Sequence, residues 1–234
     1  METPLILAIE TSGKTGGVCL YQGKALFNVT IPSKDSFCKN LFKIFRFLEE
    51  VGGSFLEKVD YYAIDVGPGS FTGLRIGLSV LKAFAIAYPK PVIPVTSLEV
   101  LASSVCTESY EIGVVINAYS KEVFFASYAL TDGVLKNRLE PRCVKLEKLK
   151  ELVKSPILFV SETPEICKDY LKKELPPELF KGFIQAGLSA DKVAMLAYQK
   201  LVFQKDQACR SWEDVSPLYL KASEAERKTG LKVS

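Results

Sequence analysis

A chain of 234 residues that is 48% apolar and 24% charged can bury an ordinary core, and a formal charge of +3 does not demand a nucleic-acid partner. Histidine is entirely missing, which excludes Ser-His-Asp and Cys-His catalysis, histidine general bases and His-ligated metals. The six cysteines (19, 38, 106, 143, 167 and 209) are scattered without a Cys-x-x-Cys pair, so zinc spacing is absent and a reducing cytoplasm is expected. The first apolar run, Leu5 to Ile9, ends at Glu10 and is too short for a signal sequence. The longest apolar helix carries Arg75 and Lys82, which argues against a membrane span.

In chain order, residues 5–10 read as a buried strand, 11–17 as a turn, and 17–21 and 24–31 as two strands around Gln22-Gly23, an antiparallel meander. Residues 33–51 read as a helix with Ser33 or Asp35 as N-cap and Gly52-Gly53 as its stop. Residues 59–65 form the fourth strand, followed by a glycine-rich loop and a helix over 71–88. Pro89, Pro91 and Pro94 punctuate a short strand, Val92-Ile93, and Thr96 with Glu99 has capping-box spacing for a helix through Cys106. Strands follow at 112–118, 122–130 and 134–144, then a helix at 146–153, a strand at 157–160, and helices at 163–175 and 189–204. The basic segment 136–154 reads as a solvated strand and helix face, and the charged tail from Ser223 is expected to be mobile. Meander, helix, strand, helix occurs twice, over 5–88 and 112–204, which predicts an α/β chain of two related lobes, each a mixed sheet flanked by helices. The expected division is 1–96, 97–221 and a tail at 222–234.

The loop Gly67-Pro68-Gly69-Ser70-Phe71-Thr72-Gly73, with Arg75 behind it, joins a strand to a helix N-terminus, where backbone N–H groups attract anions. Its spacing is neither G-x-G-x-x-G nor a Walker A ending in Gly-Lys-Ser/Thr. A helix N-terminus contributes about 0.3–1 kcal/mol to anion binding, whereas micromolar affinity needs about 8, so packing or partner contact is favoured over nucleotide. Gly73 and Gly77 lie four apart on one helical face, followed by Val80 and Phe84. Glycine in a helix costs about 1 kcal/mol relative to alanine, so close approach of another helix is expected there. On the 33–51 helix Phe37, Leu41, Ile44, Phe45 and Leu48 form one stripe, while Cys38, Phe42 and Phe47 fall off it. An exposed Phe forfeits about 1.5–3 kcal/mol of burial, so a partner is expected to cover the two outlying rings.

The run from Asp65 to Gly77 resembles the signature of the TsaB (YeaZ) family, the bacterial partners in threonylcarbamoyladenosine synthesis on tRNA. Leu7-Ala8-Ile9-Glu10-Thr11-Ser12 is similar to that family's first strand, with Glu10 for its usual Asp. Pro94-Val95-Thr96-Ser97-Leu98 and Pro217-Leu218-Tyr219-Leu220-Lys221 resemble its post-strand and C-terminal motifs. The resemblance implies a two-lobed actin-like fold of the sugar kinase/Hsp70/actin superfamily with RNase H-like lobes. In such folds the first hairpin carries an Asp and a Gly that hold metal and phosphate. Glu10, Thr11 and Ser12 here look like a binding hairpin that has drifted from catalysis.

The implied role is a non-catalytic scaffold or activating subunit, with no cofactor or metal of its own. It would pair with a TsaD-type catalytic subunit and a TsaE-type ATPase, reach tRNA through the complex, and form a homodimer when alone. The family's dimer interface uses its first two helices, which maps partner contact onto Phe37, Leu41, Phe42, Phe45, Gly73, Gly77, Val80 and Phe84. Two departures stand out. Asp35-Ser36-Phe37-Cys38 replaces a start that often holds His, and Asn117 and Tyr119 stand where a second-lobe motif has Asp and Arg. The alternative function is a small ATP-dependent phosphotransferase using the Glu10 hairpin and the glycine loop. A third is a tRNA-binding module using Lys221, Arg227, Lys228 and Lys232.

Overall fold

The computed structural model describes residues 3–32 and 37–221, without the side chains of Phe37, Lys205 and Asp206. The candidate N-caps Ser33 and Asp35 and the tail from Ser223 lie outside the described residues. Strands β1 (Ile6–Glu10), β2 (Thr15–Tyr21), β3 (Ala25–Pro32), β4 (Tyr61–Asp65) and β5 (Val92–Val95) form one sheet in the order β3-β2-β1-β4-β5. Strands β6 (Glu111–Asn117), β7 (Glu122–Thr131), β8 (Val134–Lys145), β9 (Ile157–Ser161) and β10 (Phe180–Gln185) form the other, in the order β10-β9-β6-β7-β8. In both sheets the first three strands run antiparallel and the last two join parallel to the first. The duplication read from the sequence is therefore a topological repeat, and the fold is actin-like.

Helices α1 (Phe37–Gly52) and α3 (Phe71–Ala87) cover the outer face of the first sheet, with the short α2 (Phe55–Lys58) between them in sequence. α1 buries Leu41, Ile44, Phe45 and Leu48 at helical spacing against β2 and β3. The outer face of the second sheet takes α5 (Leu146–Leu152) and α6 (Lys168–Glu174). Between the sheets lie α4 (Ser97–Ala102) and α7 (Ala190–Gln204), which share one continuous core with Ile6, Ala8, Ile112 and Val114. α7 falls inside the span expected to form the second lobe, yet it packs on β1 and β2 of the first sheet. The capping box at α4 is formed: the Thr96 hydroxyl accepts from the Glu99 N–H, and the Glu99 carboxylate accepts from the Thr96 N–H at 2.7 Å. Thr163-Pro164 opens a single 3-10 turn rather than a long helix, and α6 begins only at Lys168.

Candidate functional site

Because β1, β4 and β5 run parallel, their C-terminal ends meet at one edge, the place where open α/β sheets hold ligands. That edge gathers Glu10 ending β1, Ser12 just after it, Asp65 ending β4 and Ser97 opening α4, all buried. Glu10 Oε1 accepts from the Ser12 N–H, from the Ser12 hydroxyl at 2.8 Å and from the Gly13 N–H at 3.2 Å. The Ser12 hydroxyl also lies 2.8 Å from Asp65 Oδ2 and 3.0 Å from the Ser97 hydroxyl. Ser97 donates to the Asp65 carboxylate at 2.8 Å, and the Gly67 N–H donates to Asp65 Oδ1 at 2.7 Å.

No cation joins this cluster among the described residues, and Glu10 Oε2 is buried without a partner. Burial, reinforced by the Asp65 charge, pushes the Glu10 carboxyl up to about 8. Burial also raises Asp65, to about 6, against the pull of its bonds from Gly67, Ser97 and Ser12. The two carboxyls therefore retain a proton rather than carry two buried charges.

The glycine loop is docked directly on the β1–β2 turn. The Ser70 N–H donates to the Ser12 carbonyl at 2.8 Å, and Ser70 caps α3 by accepting from the Gly73 N–H at 3.2 Å. The Thr11 hydroxyl donates to the Gly73 carbonyl at 2.7 Å. A Cβ at Gly69 would come within 2.6 Å of the Ser12 carbonyl, and one at Gly73 or Gly77 would overlap Thr11 itself. From the second lobe, the Glu162 carboxylate accepts from the Leu188 N–H at 3.3 Å and from the Lys14 backbone, and burial raises its pKa.

Above this floor a cleft of about 790 Å³ separates the lobes. The C-terminal segment straddles it. The Leu218 N–H donates to the Val66 carbonyl at 2.7 Å, while Lys221 Nζ donates to the Ala118 carbonyl at 2.8 Å and pairs with Glu122. At the rim the Arg75 guanidinium sits 3.9 Å from the centre of the Phe71 ring, and the Tyr219 ring packs on Phe71 at 5.4 Å.

A family model, TsaD (tRNA N6-adenosine threonylcarbamoyltransferase), matches residues 33–232. The chain belongs to that family. Among curated relatives of this TsaD-family chain, the tRNA threonylcarbamoyladenosine biosynthesis protein TsaB of Bacillus subtilis (strain 168) is 27% identical over 95% of this chain and 96% of its own. A protein of the same name from Buchnera aphidicola subsp. Schizaphis graminum (strain Sg) is 24% identical over 62% of this chain and 75% of its own. The solved YeaZ from Pseudomonas aeruginosa covers 93% of this chain and 100% of its own, with a TM-score of 0.76 at 23% identity, a likeness of fold. The resemblance to TsaB (YeaZ) read from the Asp65-to-Gly77 run is borne out.

The residues expected at a partner interface divide sharply in this TsaD-family chain. Leu41, Phe45 and Val80 are buried in the chain's own core, and Phe84 is half-buried with its ring edge-on to Phe45 at 4.7 Å. Gly73 and Gly77 do face a close neighbour, but it is Thr11 of the same chain rather than a second helix. The Phe37 side chain lies outside the described residues. Of the expected set, Phe42 faces solvent, 56% exposed. Phe47 and Val51 on α1 and Ile86 on α3 are also exposed; Phe47 stood out in the sequence as off the stripe, whereas Ile86 gave no signal in an apolar run.

Proposed function

We propose that this chain is a non-catalytic scaffold and activating subunit of a complex that synthesises threonylcarbamoyladenosine on tRNA. The observation that carries the reading is the self-filled floor of the cleft. The Ser12 and Gly13 amides are taken by Glu10, the Lys14 and Leu188 amides by Glu162, the Gly67 amide by Asp65 and the Ser70 amide by the Ser12 carbonyl. A phosphate held by this hairpin and loop needs those donors. It would have to displace buried carboxyls and meet their charge.

The metal that the first hairpin holds in actin-like folds does not fit either. The chain has no histidine, and no group of three or more Cys, Asp or Glu able to hold a metal occurs among the described residues. The family model and the TsaB relatives supply the tRNA side of the reading. The exposed apolar side chains of α1 (Phe42, Phe47 and Val51) and of α3 (Ile86) support pairing with a TsaD-type subunit through these two helices. The same reading includes a TsaE-type ATPase, contact with tRNA through the complex, a homodimer through these helices when the partner is missing, and a cytoplasmic setting.

Co-purification with a TsaD-type partner, followed by a tRNA modification assay with each subunit omitted in turn, tests the proposal. The expected outcome is a stable pair and loss of modification when this chain is left out. Full activity of the partner alone would overturn it.

A further inference from the structure

Three aromatic side chains converge on the interlobe cleft without closing over it. Tyr119 stands 76% exposed, Tyr219 49% and Phe71 40%, and all three line the same space. Single exposed apolar residues are ordinary; three rings around one cleft are a pattern. The backbone that holds Tyr119 out is strained. Tyr119, Ser120 and Lys121 all adopt left-handed φ values of 58°, 55° and 61°. Non-glycine residues visit that region singly, and a run of three is costly. The turn is over-determined around them. The Tyr119 N–H donates to Asn117 Oδ1 at 2.8 Å, the Glu122 N–H to the Tyr119 carbonyl at 3.0 Å, and the Leu146 N–H to the Lys121 carbonyl at 2.9 Å. No packing of the Tyr119 ring within the described residues accounts for that cost.

We propose that the cleft is a stacking site for an unpaired nucleobase of RNA, with Tyr119 on the second lobe and Phe71 and Tyr219 on the first as its aromatic walls. The chemistry of the space selects that ligand. At about 790 Å³ it lies within the range of ordinary ligand sites. Its floor carries Glu162 and amides already taken, which disfavours a phosphate inside and leaves a neutral flat ring as the fitting group. Asn117, Ser120 and Thr163 offer donors and acceptors to a base edge. Arg75, stacked on Phe71, puts positive charge at the rim, where the phosphodiester of a strand would run. Aromatic stacking of unpaired bases is the commonest means by which proteins read single-stranded RNA.

This assignment deepens the tRNA role proposed above and rests on it, but its test is separable from that of partner pairing. The complex of the full chain with a TsaD-type partner is titrated into a fluorescein-labelled unpaired RNA heptamer and into an anticodon stem-loop, read by anisotropy at fixed salt. Tyr119→Ala is expected to weaken both by about tenfold, the ordinary effect of losing one base–aromatic stack, while Tyr119→Phe stays within about twofold of the parent. Co-elution of the Tyr119→Ala chain with the partner is scored in parallel and is expected to be unchanged, so that loss of RNA binding is not loss of the pair. Unaltered RNA affinity in both Tyr119→Ala and Tyr219→Ala would overturn the site. Displacement of the heptamer by ATP at lower concentration than by unlabelled RNA would assign the same walls to a free nucleotide and overturn the RNA source.

Discussion

Gly73→Ala offers the sharpest test of why this chain carries glycines in the helix behind its signature loop. An alanine in α3 gains about 1 kcal/mol of helix propensity. Against it, a Cβ at position 73 overlaps the Thr11 carbonyl, and a backbone carbonyl in a buried turn cannot rotate away. Overpacking of this kind costs about 1–3 kcal/mol, and an immovable obstacle puts the change at the upper end. Separating the two segments also weakens the Thr11–Gly73 hydrogen bond, worth about 1 kcal/mol. The net expectation is a loss of about 3 kcal/mol.

Gly77→Ala meets only the Thr11 hydroxyl, which can turn at the expense of that same bond, so gain and loss nearly cancel and the change stays within about 1 kcal/mol. Gly187 has open space around its would-be Cβ and no left-handed φ, so Gly187→Ala is neutral or stabilising by up to about 1 kcal/mol. Urea unfolding of the isolated chain reads all three as midpoint shifts at constant slope. If Gly73→Ala unfolds at the parent midpoint yet fails to pair with a partner, the glycines serve an outside helix and the reasoning from Thr11 is wrong.

Phe42→Glu should abolish pairing with the TsaD-type subunit while shifting stability by less than about 0.5 kcal/mol, whereas Leu41→Glu, one residue away but fully buried, should prevent folding; gel filtration and circular dichroism separate the two. The folded-state pKa of Glu10, about 8 against an ordinary 4.5, means the folded chain keeps a proton that the unfolded chain releases. Its contribution is full below about 4.5 and is lost as pH rises through about 8, so the parent should lose stability relative to Glu10→Gln between about pH 4.5 and 8 and run parallel to it above that. Parallel pH–stability curves for the two proteins across that window would refute that placement of the proton. Calorimetry of the isolated chain should give the same response to ATP with and without magnesium; a magnesium-dependent heat followed by hydrolysis would return the phosphotransferase reading. Glu99→Ala removes the carboxylate half of the α4 capping box and a 2.9 Å ion pair with the partly buried Lys200 while leaving the Thr96 hydroxyl cap, and should lower stability by about 1 kcal/mol in urea unfolding.

Much of the architecture was legible along the chain because its elements are locally encoded. α1 announces itself by Leu41, Ile44, Phe45 and Leu48, and α4 by Thr96 and Glu99. β10 escaped because Phe180-Lys181-Gly182-Phe183 breaks alternation, and the structure shows why: Gly182 sits at φ 128° beside an irregular register with β9. The four-residue α2 is too short to show a period.

The candidate site divides along the same line. That Gly73 and Gly77 needed a close neighbour followed from helix propensity alone; that the neighbour is Thr11, 62 residues upstream of Gly73, is a property of the β1–β4 pairing. The wide apolar arc of α1 was visible in sequence, and the periodicity set Phe45, which is buried, on the stripe and Phe42 and Phe47, which are exposed, off it; what it could not show is that no element among the described residues covers those two rings.

By itself, the order of residues determined the repeated αβ plan, the lack of histidine chemistry and the departure of the first hairpin from a phosphate-holding pattern. Tertiary structure alone decided that Glu10, Asp65 and Glu162 would fill the amides of that hairpin and loop, and that Tyr119, Phe71 and Tyr219 would stand around one cleft. The physical reason is range. Helix and strand preferences act over a few neighbouring residues, whereas a hydrogen bond from Gly67 to Asp65 or a ring at a cleft mouth has meaning only once parallel strand ends have been brought side by side.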